Sequence, residues 1–399
     1  MASDRDALAT PAAHTTHTTQ TTQTTRGGRH DAGTRRHQPR NTAGSIALGV
    51  IAETLVAVAV VLALYVVWQL WWTGVDADRA QTERRDAVSW SAPASDPANG
   101  SYKIAQPQEG DPPVQPAADS NPAEGTVIAD VYIPRFGSQW KRTVFQGTES
   151  HELAMGMGHY PTSQMPGALG NFAFAGHRAG YGEPLAYVDK LVQGDAIVIR
   201  TQDFWYVYQY TQSELVTPDQ VEVIDPVPHQ PAATPTQRLI TMTTCHPRYQ
   251  NPTHRWISYG QLKYWARVSD GIPTELASQQ SNGTVAFTQE QATPISRRIP
   301  PLTTMLAWAA VAFVIVFIAA AIVWRWPALA PDRRDRGGAG PVSWLSHLMP
   351  GALPVRILLM ALLAFMAAAA LFQWTFPWAA ANIPYLQITS NYANVTSVG

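Results

Sequence analysis

The chain has 399 residues, is 46% hydrophobic and only 14% charged, and carries a formal net charge of −1. That length leaves room for two or three domains. A balance so near neutral lacks the basic excess of a general nucleic-acid binder, so no nucleic-acid partner is expected.

Residues 1–45 carry the tract HTTHTTQTTQTTRGGRH and the arginines Arg26, Arg29, Arg35, Arg36 and Arg40. Almost nothing apolar is available to offset the entropy of ordering such a segment, so it reads as a disordered tail. His14, His17, His30 and His37 lie in it with no fold to hold them as metal ligands.

Three stretches read as transmembrane helices: residues 46–72, with the core TLVAVAVVLALYVVWQLWW; 302–324, LTTMLAWAAVAFVIVFIAAAIVW; and 357–376, ILLMALLAFMAAAALFQWTF. Each core is about 20 residues long, enough to cross the hydrocarbon, and contains no Asp, Glu, Lys or Arg. Tryptophans stand at the ends, at Trp68, Trp71, Trp72, Trp324, Trp326, Trp374 and Trp378, as interfacial anchoring requires. The first span lies too far from the start, and is too long, for a cleaved signal peptide. Arginines precede the first span, and Arg325, Arg333, Arg334, Arg336 and Arg356 lie in the loop 325–356. Both basic regions belong in the cytoplasm. Residues 73–301 and the tail 377–399 are then extracellular, and the chain is a multi-pass protein of the cell membrane.

The external region is uneven. Residues 73–124 read as a Pro/Ala-rich spacer and 271–301 as a similar linker. Residues 125–270, between them, have the length of one compact domain. Its runs TVIADVYIPRFG, GNFAFAGH, GDAIVIRT, DFWYVYQY, QVEVIDPV, RLITMTTC, RWISYGQL and YWARV are short, β-branched or aromatic. They suggest a closed sheet or sandwich, with a hairpin around residues 201–203. Helical patches are expected at Glu183–Gln193 and around TESHELAMG.

Cys245 is the only cysteine, so it has no partner for an intramolecular disulfide. It is either a buried apolar side chain or a thiol in use. TMTTC reads as a strand, and HPRYQNP, with two prolines, must leave the sheet, which puts Cys245 at a strand end. A reactive thiol needs a base or a positive charge nearby. His246, Arg248, His254 and Arg255 are close in sequence, and His151, His159 and His177 lie further back. Adjacent strand residues point to opposite faces, which counts against His246 as the partner. His177 closes another strand-like run, NFAFAGHR. Sequence alone leaves open whether it meets Cys245.

These residues carry a resemblance. TMTTCHP, with Arg255 ten positions on, resembles the TLxTC…R signature of sortases, and NFAFAGHR resembles their histidine segment. GHYP and RWISYGQL make residues 127–268 most similar to class E sortases of high-GC Gram-positive bacteria. The resemblance implies a mainly β fold, the eight-stranded sortase β-barrel, here with three transmembrane α-helices. It implies a membrane-anchored cysteine transpeptidase that cleaves an LPxTG- or LAxTG-like C-terminal sorting signal between Thr and Gly. Cys245 would form the thioester, His177 act as acid/base and Arg255 hold the substrate. The Thr244 hydroxyl and His246 N–H would neighbour the oxyanion. Tyr160 would either line the signal groove or pack in the barrel wall. The implied partners are secreted proteins with a sorting signal and an amine of lipid II or peptidoglycan. No cofactor or metal is implied.

One departure is the pair of C-terminal spans. Pilin-polymerising class C sortases can carry a C-terminal span, but also a lid with an Asp-Pro-aromatic motif. Here Asp96-Pro97 is followed by Ala98, which favours surface-protein anchoring. Two other readings remain, a non-catalytic membrane-tethered β-domain that binds a partner and a cysteine protease.

Overall fold

The computed structural model describes residues 43–117, 120–291, 293–324, 345–346 and 348–390. The expected disordered tail up to residue 42 lies outside the described residues, as do all the orienting arginines except Arg356.

Eight strands close into one barrel. They are β1 (Val127–Tyr132), β2 (Lys141–Gln146), β3 (Met157–His159), β4 (Gly170–Gly176), β5 (Ala196–Arg200), β6 (Phe204–Val216), β7 (Arg238–His246) and β8 (His254–Arg267). Their order around the barrel is β1-β2-β3-β4-β7-β8-β6-β5, with β5 returning to β1. Alternate residues build the interior: Phe172 and Phe174, Ile197 and Ile199, Tyr206 and Tyr208, Ile240 and Met242 share one core. That is the two-residue period of a strand with one face inward.

The intervening residues of β5 and β6 are apolar as well, and AIVI and WYV show no polar alternation. Both faces of these strands must therefore be covered. Val198, Trp205 and Val207 form a second core outside the barrel with Tyr132, Ala266, Ile272 and Phe287. Two segments expected to be spacer and linker supply the cover. In the first, Ala105 is buried and Tyr102 and Ile104 pack against this core, while the Pro113 carbonyl accepts the Tyr206 hydroxyl at 2.7 Å. In the second, the hairpin of β9 (Ala277–Gln279) and β10 (Val285–Phe287) inserts Phe287, which is fully buried. Pro- and Ala-rich composition hid this role because a few well-spaced apolar residues suffice to cover a sheet face.

The spacer also begins differently from expectation. The first helix, α1 (Ala43–Val67), runs through a π-helical turn (Trp68–Trp72) into α2 (Thr73–Asp86). TGVDADRAQTERRD contains no proline and has an i,i+3 ion pair, Asp76–Arg79, at 3.2 Å, so the helix continues. Arg85 at its end donates to the fully buried Asp130 of β1 at 2.6 Å. Thr143 donates to the other oxygen of the same carboxylate at 2.8 Å. Burial opposes ionisation of Asp130, yet Lys141 and Arg85 hold its pKa below the usual carboxylate value.

Other expectations resolve locally. The turn at residues 201–203 joins β5 to β6 as a hairpin, and α3 (Ser150–Met155) lies in the TESHELAMG stretch. RWISYGQL and YWARV are a single strand, β8, which follows β6 through two register shifts. QVEVIDPV is a 3-10 turn at Val221–Ile224 rather than a strand, its run cut off by Pro226. Within Glu183–Gln193 only a 3-10 turn forms, at Val188–Lys190.

After β10 come two short helices, α4 (Thr288–Gln291) and α5 (Ile295–Arg298), and then α6 (Leu302–Val323). The last helical run is α7 (Leu353–Ala370), a second π turn (Leu371–Thr375) and α8 (Phe376–Asn382), followed by α9 (Pro384–Ser390). Three helices, Ala47–Asp86, Leu302–Val323 and Leu353–Asn382, are long and apolar enough to cross a membrane. Trp68, Trp72, Val75, Leu302, Phe376 and Ala380 form one buried cluster. The C-terminal end of the first span, the start of the second and the C-terminal end of the third therefore meet beside the barrel.

Candidate active site

The site is built where β4, β7 and β8 end. β4 and β7 are parallel, with Ala173 opposite Thr241 and Ala175 opposite Thr243. Continuing that register by two residues sets His177 beside Cys245. Cys245 in turn pairs directly with Arg255 across the antiparallel β7–β8 ladder. The three residues expected to act together thus stand in one row across adjacent strands.

Cys245 is a free, partly exposed cysteine. It lines a cavity of about 870 Å³ together with His177, Arg178 and the β7–β8 loop from Pro247 to Pro252. His177 is 8% exposed and stacks on Tyr181, with ring centroids 4.7 Å apart and planes at 26°. Its Nε2 is buried and has no hydrogen-bond partner among the described residues. Burial pushes its pKa down to about 4, because the charged imidazolium loses hydration there. His177 is therefore a neutral imidazole at physiological pH, able to accept a proton.

The loop behind His177 rests on the π turn and the start of α2. Thr73 Oγ1 accepts the Tyr181 N–H at 3.0 Å while donating to the Gln69 carbonyl at 2.8 Å. A Cβ on Gly74 would come within 3.0 Å of the Gly182 nitrogen, so only glycine allows this approach without a shift. The helix thereby fixes Tyr181, and Tyr181 fixes the imidazole ring.

The two candidate arginines differ in their partners. Arg248 is committed: it donates to the Arg178 carbonyl at 3.1 Å, pairs with Glu183 and lies over the Tyr249 ring at 4.7 Å. Arg255 makes one long bond, 3.4 Å, to the His254 carbonyl. Among the described residues it has no ion pair, so its guanidinium remains available to a ligand.

Of the residues expected around these, Tyr160 lies close by. Its hydroxyl is 2.8 Å from Thr243 Oγ1, and Thr243 shares a strand face with Cys245. Burial raises the Tyr160 pKa, with the Thr243 hydrogen bond and the Arg255 charge pulling it down and Cys245 adding to the rise. Thr244 does not fit the oxyanion role: its hydroxyl donates to the Gly176 carbonyl at 2.7 Å, buried between β4 and β7. Thr244 faces away from Cys245 by strand alternation, so it joins the two strands instead. The His246 ring is also turned away, its Nδ1 accepting from Arg178 at 2.9 Å.

A sortase domain model matches residues 131–263. Sortase SrtE2 of Streptomyces coelicolor is 33% identical over 251 residues, covering 61% of this chain and 91% of the relative. This chain belongs to the sortase family. Sortase SrtE1 of the same organism is also 33% identical, over 249 residues and 59% of this chain, and the match spans 63% of SrtE1. These relatives meet the class E resemblance read from the motifs. Solved structures similar to this sortase include SrtA sortase from Actinomyces oris, at 38% identity and TM-score 0.40, covering 43% of this chain and 96% of that one. Sortase E from Streptomyces avermitilis is also 38% identical, at TM-score 0.36, covering 39% and 99%.

Two parts of the site in this sortase escaped the sequence reading. Arg178, 7% exposed, ties the strand ends together: it donates to His246, bonds Asp189 at 3.1 Å and lies 4.9 Å over the Trp256 ring. The signal was present in the HR dipeptide of NFAFAGHR, but only the parallel β4–β7 pairing gives it partners. The cavity wall formed by Gln69, Leu70 and Tyr385 has no motif at all. Among the described residues, no three metal-ligating side chains converge.

Proposed function

We propose that the chain is a membrane-anchored cysteine transpeptidase that joins secreted proteins to a cell-wall amine. The observation that supports this most is the row of His177, Cys245 and Arg255 on adjacent strand ends, with the imidazole and thiol lining one cavity. Neutral His177 takes the thiol proton, and the thiolate attacks the Thr carbonyl of an LPxTG- or LAxTG-like signal. Arg255 and the His246 backbone N–H stabilise the oxyanion. The C–N bond breaks as the imidazolium protonates the departing glycine amine, leaving a thioester on Cys245. An acceptor amine, from lipid II or peptidoglycan, then attacks the thioester and forms the new amide. Thr243, two residues before Cys245 on the same strand face, holds the Tyr160 hydroxyl, which fits a groove for the signal.

In this reading the N-terminus and the loop 325–356 are cytoplasmic, and the barrel, the strap before it and the tail after residue 376 are extracellular. The meeting of the three span ends beside the barrel supports that parity. Anchoring is preferred to pilin polymerisation. The Asp96-Pro97 stretch is tied into the outer face by the Ser95–Tyr102 bridge and the Tyr102–Phe287 ring contact at 5.7 Å. It is not among the residues lining the Cys245 cavity. A purely binding domain would not need its single thiol partly exposed beside a neutral buried imidazole.

The test uses the full chain in detergent with LAxTG and LPxTG peptides and an added amine. Mass spectrometry should find an acyl adduct on Cys245 and an amide product. Cys245→Ala should lose both while melting at the wild-type temperature. Hydrolysis indifferent to amine would favour a protease, and full transfer by Cys245→Ala would remove the mechanism.

A further inference from the structure

The groups around Cys245 divide into two sets. Arg255 pairs with it from β8, and Thr243, which is hydrogen-bonded to Tyr160, precedes it by two residues on the same strand face of β7. None of the three lines the 870 Å³ cavity. That cavity lies beyond the strand ends, holds His177 from β4's side of β7, opposite Arg255, and takes its far wall from outside the barrel. Gln69 and Leu70 belong to the π-helical turn at the end of the first span, and Tyr385 belongs to α9, just beyond the third. A π turn re-aims side chains that a regular helix would direct elsewhere. The apolar run of the first span ends in this turn, and Trp71, exposed there, has the place of an interfacial anchor at the membrane–water boundary. The cavity therefore opens at the level of the lipid headgroups.

We infer that the C-terminal helical hairpin completes the active site: Tyr385, with Gln69 and Leu70, walls the subsite for the second substrate and selects a primary amine held at the membrane surface. The inference rests on the transpeptidase reading and adds a specificity determinant to it. The chemistry places the amine on this side. As its nitrogen lone pair forms the C–N bond, the C–S bond breaks and its electron pair returns to the sulfur. The proton lost by nitrogen must pass to a base, and His177 is the base that lines the cavity. Acyl-donor contacts at Arg255 and Tyr160 are left untouched by the wall. Changes at Tyr385 should accordingly alter how the acyl-enzyme is resolved and not how it forms.

The experiment uses the full chain in nanodiscs with an LAxTG peptide and two amine probes, soluble diglycine and diglycine linked to a lipid in the same disc. Wild type should favour the lipid-linked amine. Tyr385→Ala should acylate Cys245 at a rate within about twofold of wild type. Its ratio of transfer to hydrolysis with the lipid-linked amine should fall by about tenfold or more. Tyr385→Phe should keep most of that ratio if the ring forms the wall. An unchanged ratio in Tyr385→Ala overturns the inference while leaving the transpeptidase reading intact. Absence of any thioester in wild type overturns both. A second measurement is independent of catalysis. Because Cys245 is the sole cysteine, Tyr385→Cys creates one unique thiol pair, which a short bismaleimide should bridge within the folded chain. Failure to bridge while each thiol labels singly overturns the wall.

Discussion

At the residue scale, the case for Arg255 is one of availability. Arg248 is occupied by Glu183, the Arg178 carbonyl and Tyr249, whereas among the described residues Arg255 holds only the His254 carbonyl. Arg255→Lys should lower kcat/KM on the order of 100-fold, because an ammonium cannot offer the planar fork that meets an oxyanion. Arg248→Lys should lose far less, and the reverse ranking in peptide kinetics would reassign the role. His177 also sets a pH dependence. Its folded pKa, about 4, lies below its ordinary value of 6.5. His159 behaves alike, lowered to about 4 by burial, its ring held between Gln146, at 2.8 Å, and Ser163, at 3.0 Å. Between those values the unfolded chain binds more protons than the folded one, so stability falls as pH drops from 6.5 towards 4. Melting temperatures measured across that window should decline, and the acid limb of kcat/KM should lie below pH 6.5. A limb at or above 6.5 would mean that His177 is not held neutral by burial.

At the element scale, the junction of helix and barrel is an electrostatic clamp. Asp130 is fully buried, and it is satisfied by Arg85 from α2, Lys141 from β2 and the Thr143 hydroxyl. Removing one side of a buried pair leaves an uncompensated charge, at a cost of about 3–5 kcal/mol. Arg85→Ala, which leaves Lys141 3.6 Å from the carboxylate, should cost less than Asp130→Ala, which strands both cations. Thermal melts of the two variants and their double mutant would measure the coupling, and additive losses would show that the pair does not act as a unit. The same helix supports Tyr181, so loosening α2 should also lower activity through the imidazole. TGVDADRAQTERRD, a helix in the structure, resembles spacer only when its composition is averaged with that of the Pro-rich stretch after it. Its helical propensity and its Arg85 partner belong to different levels of the problem: the first is local, the second 45 residues away.

At the scale of the whole molecule, the catalytic unit is larger than the barrel. Residues 125–270 contain every strand of the barrel but omit Ile104, Ala105, Ile272 and Phe287, which seal the outer face of β5, β6 and β8. Each large apolar side chain so buried contributes about 1.5–3 kcal/mol. A soluble piece spanning 125–270 should therefore lose stability on the order of 5 kcal/mol relative to one spanning 88–291, enough to unfold a marginal domain. Urea denaturation of the two pieces checks this, and equal midpoints would reduce the strap and the β9–β10 hairpin to passive linkers. The spans belong to this scale as well. They were legible individually, because about 20 apolar residues without charge announce themselves in one dimension. Their convergence beside the cavity that Cys245 lines was not.

One dimension sufficed for the local and the chemical: three apolar helices, strands of two-residue period, a single thiol at a strand end, and motifs that name a family. Tertiary structure alone decided which of several histidines and arginines stand beside that thiol. β4 and β7 are separated by two strands in the chain yet are neighbours in the barrel, and the row of His177, Cys245 and Arg255 exists only through that crossover. It also turned Thr244 towards Gly176 and brought Tyr385 to the site from the far end of the chain. The physical reason is common to all of these. Propensity and hydropathy act between near neighbours, whereas a side chain's partners are set by which distant segments must meet to bury apolar surface.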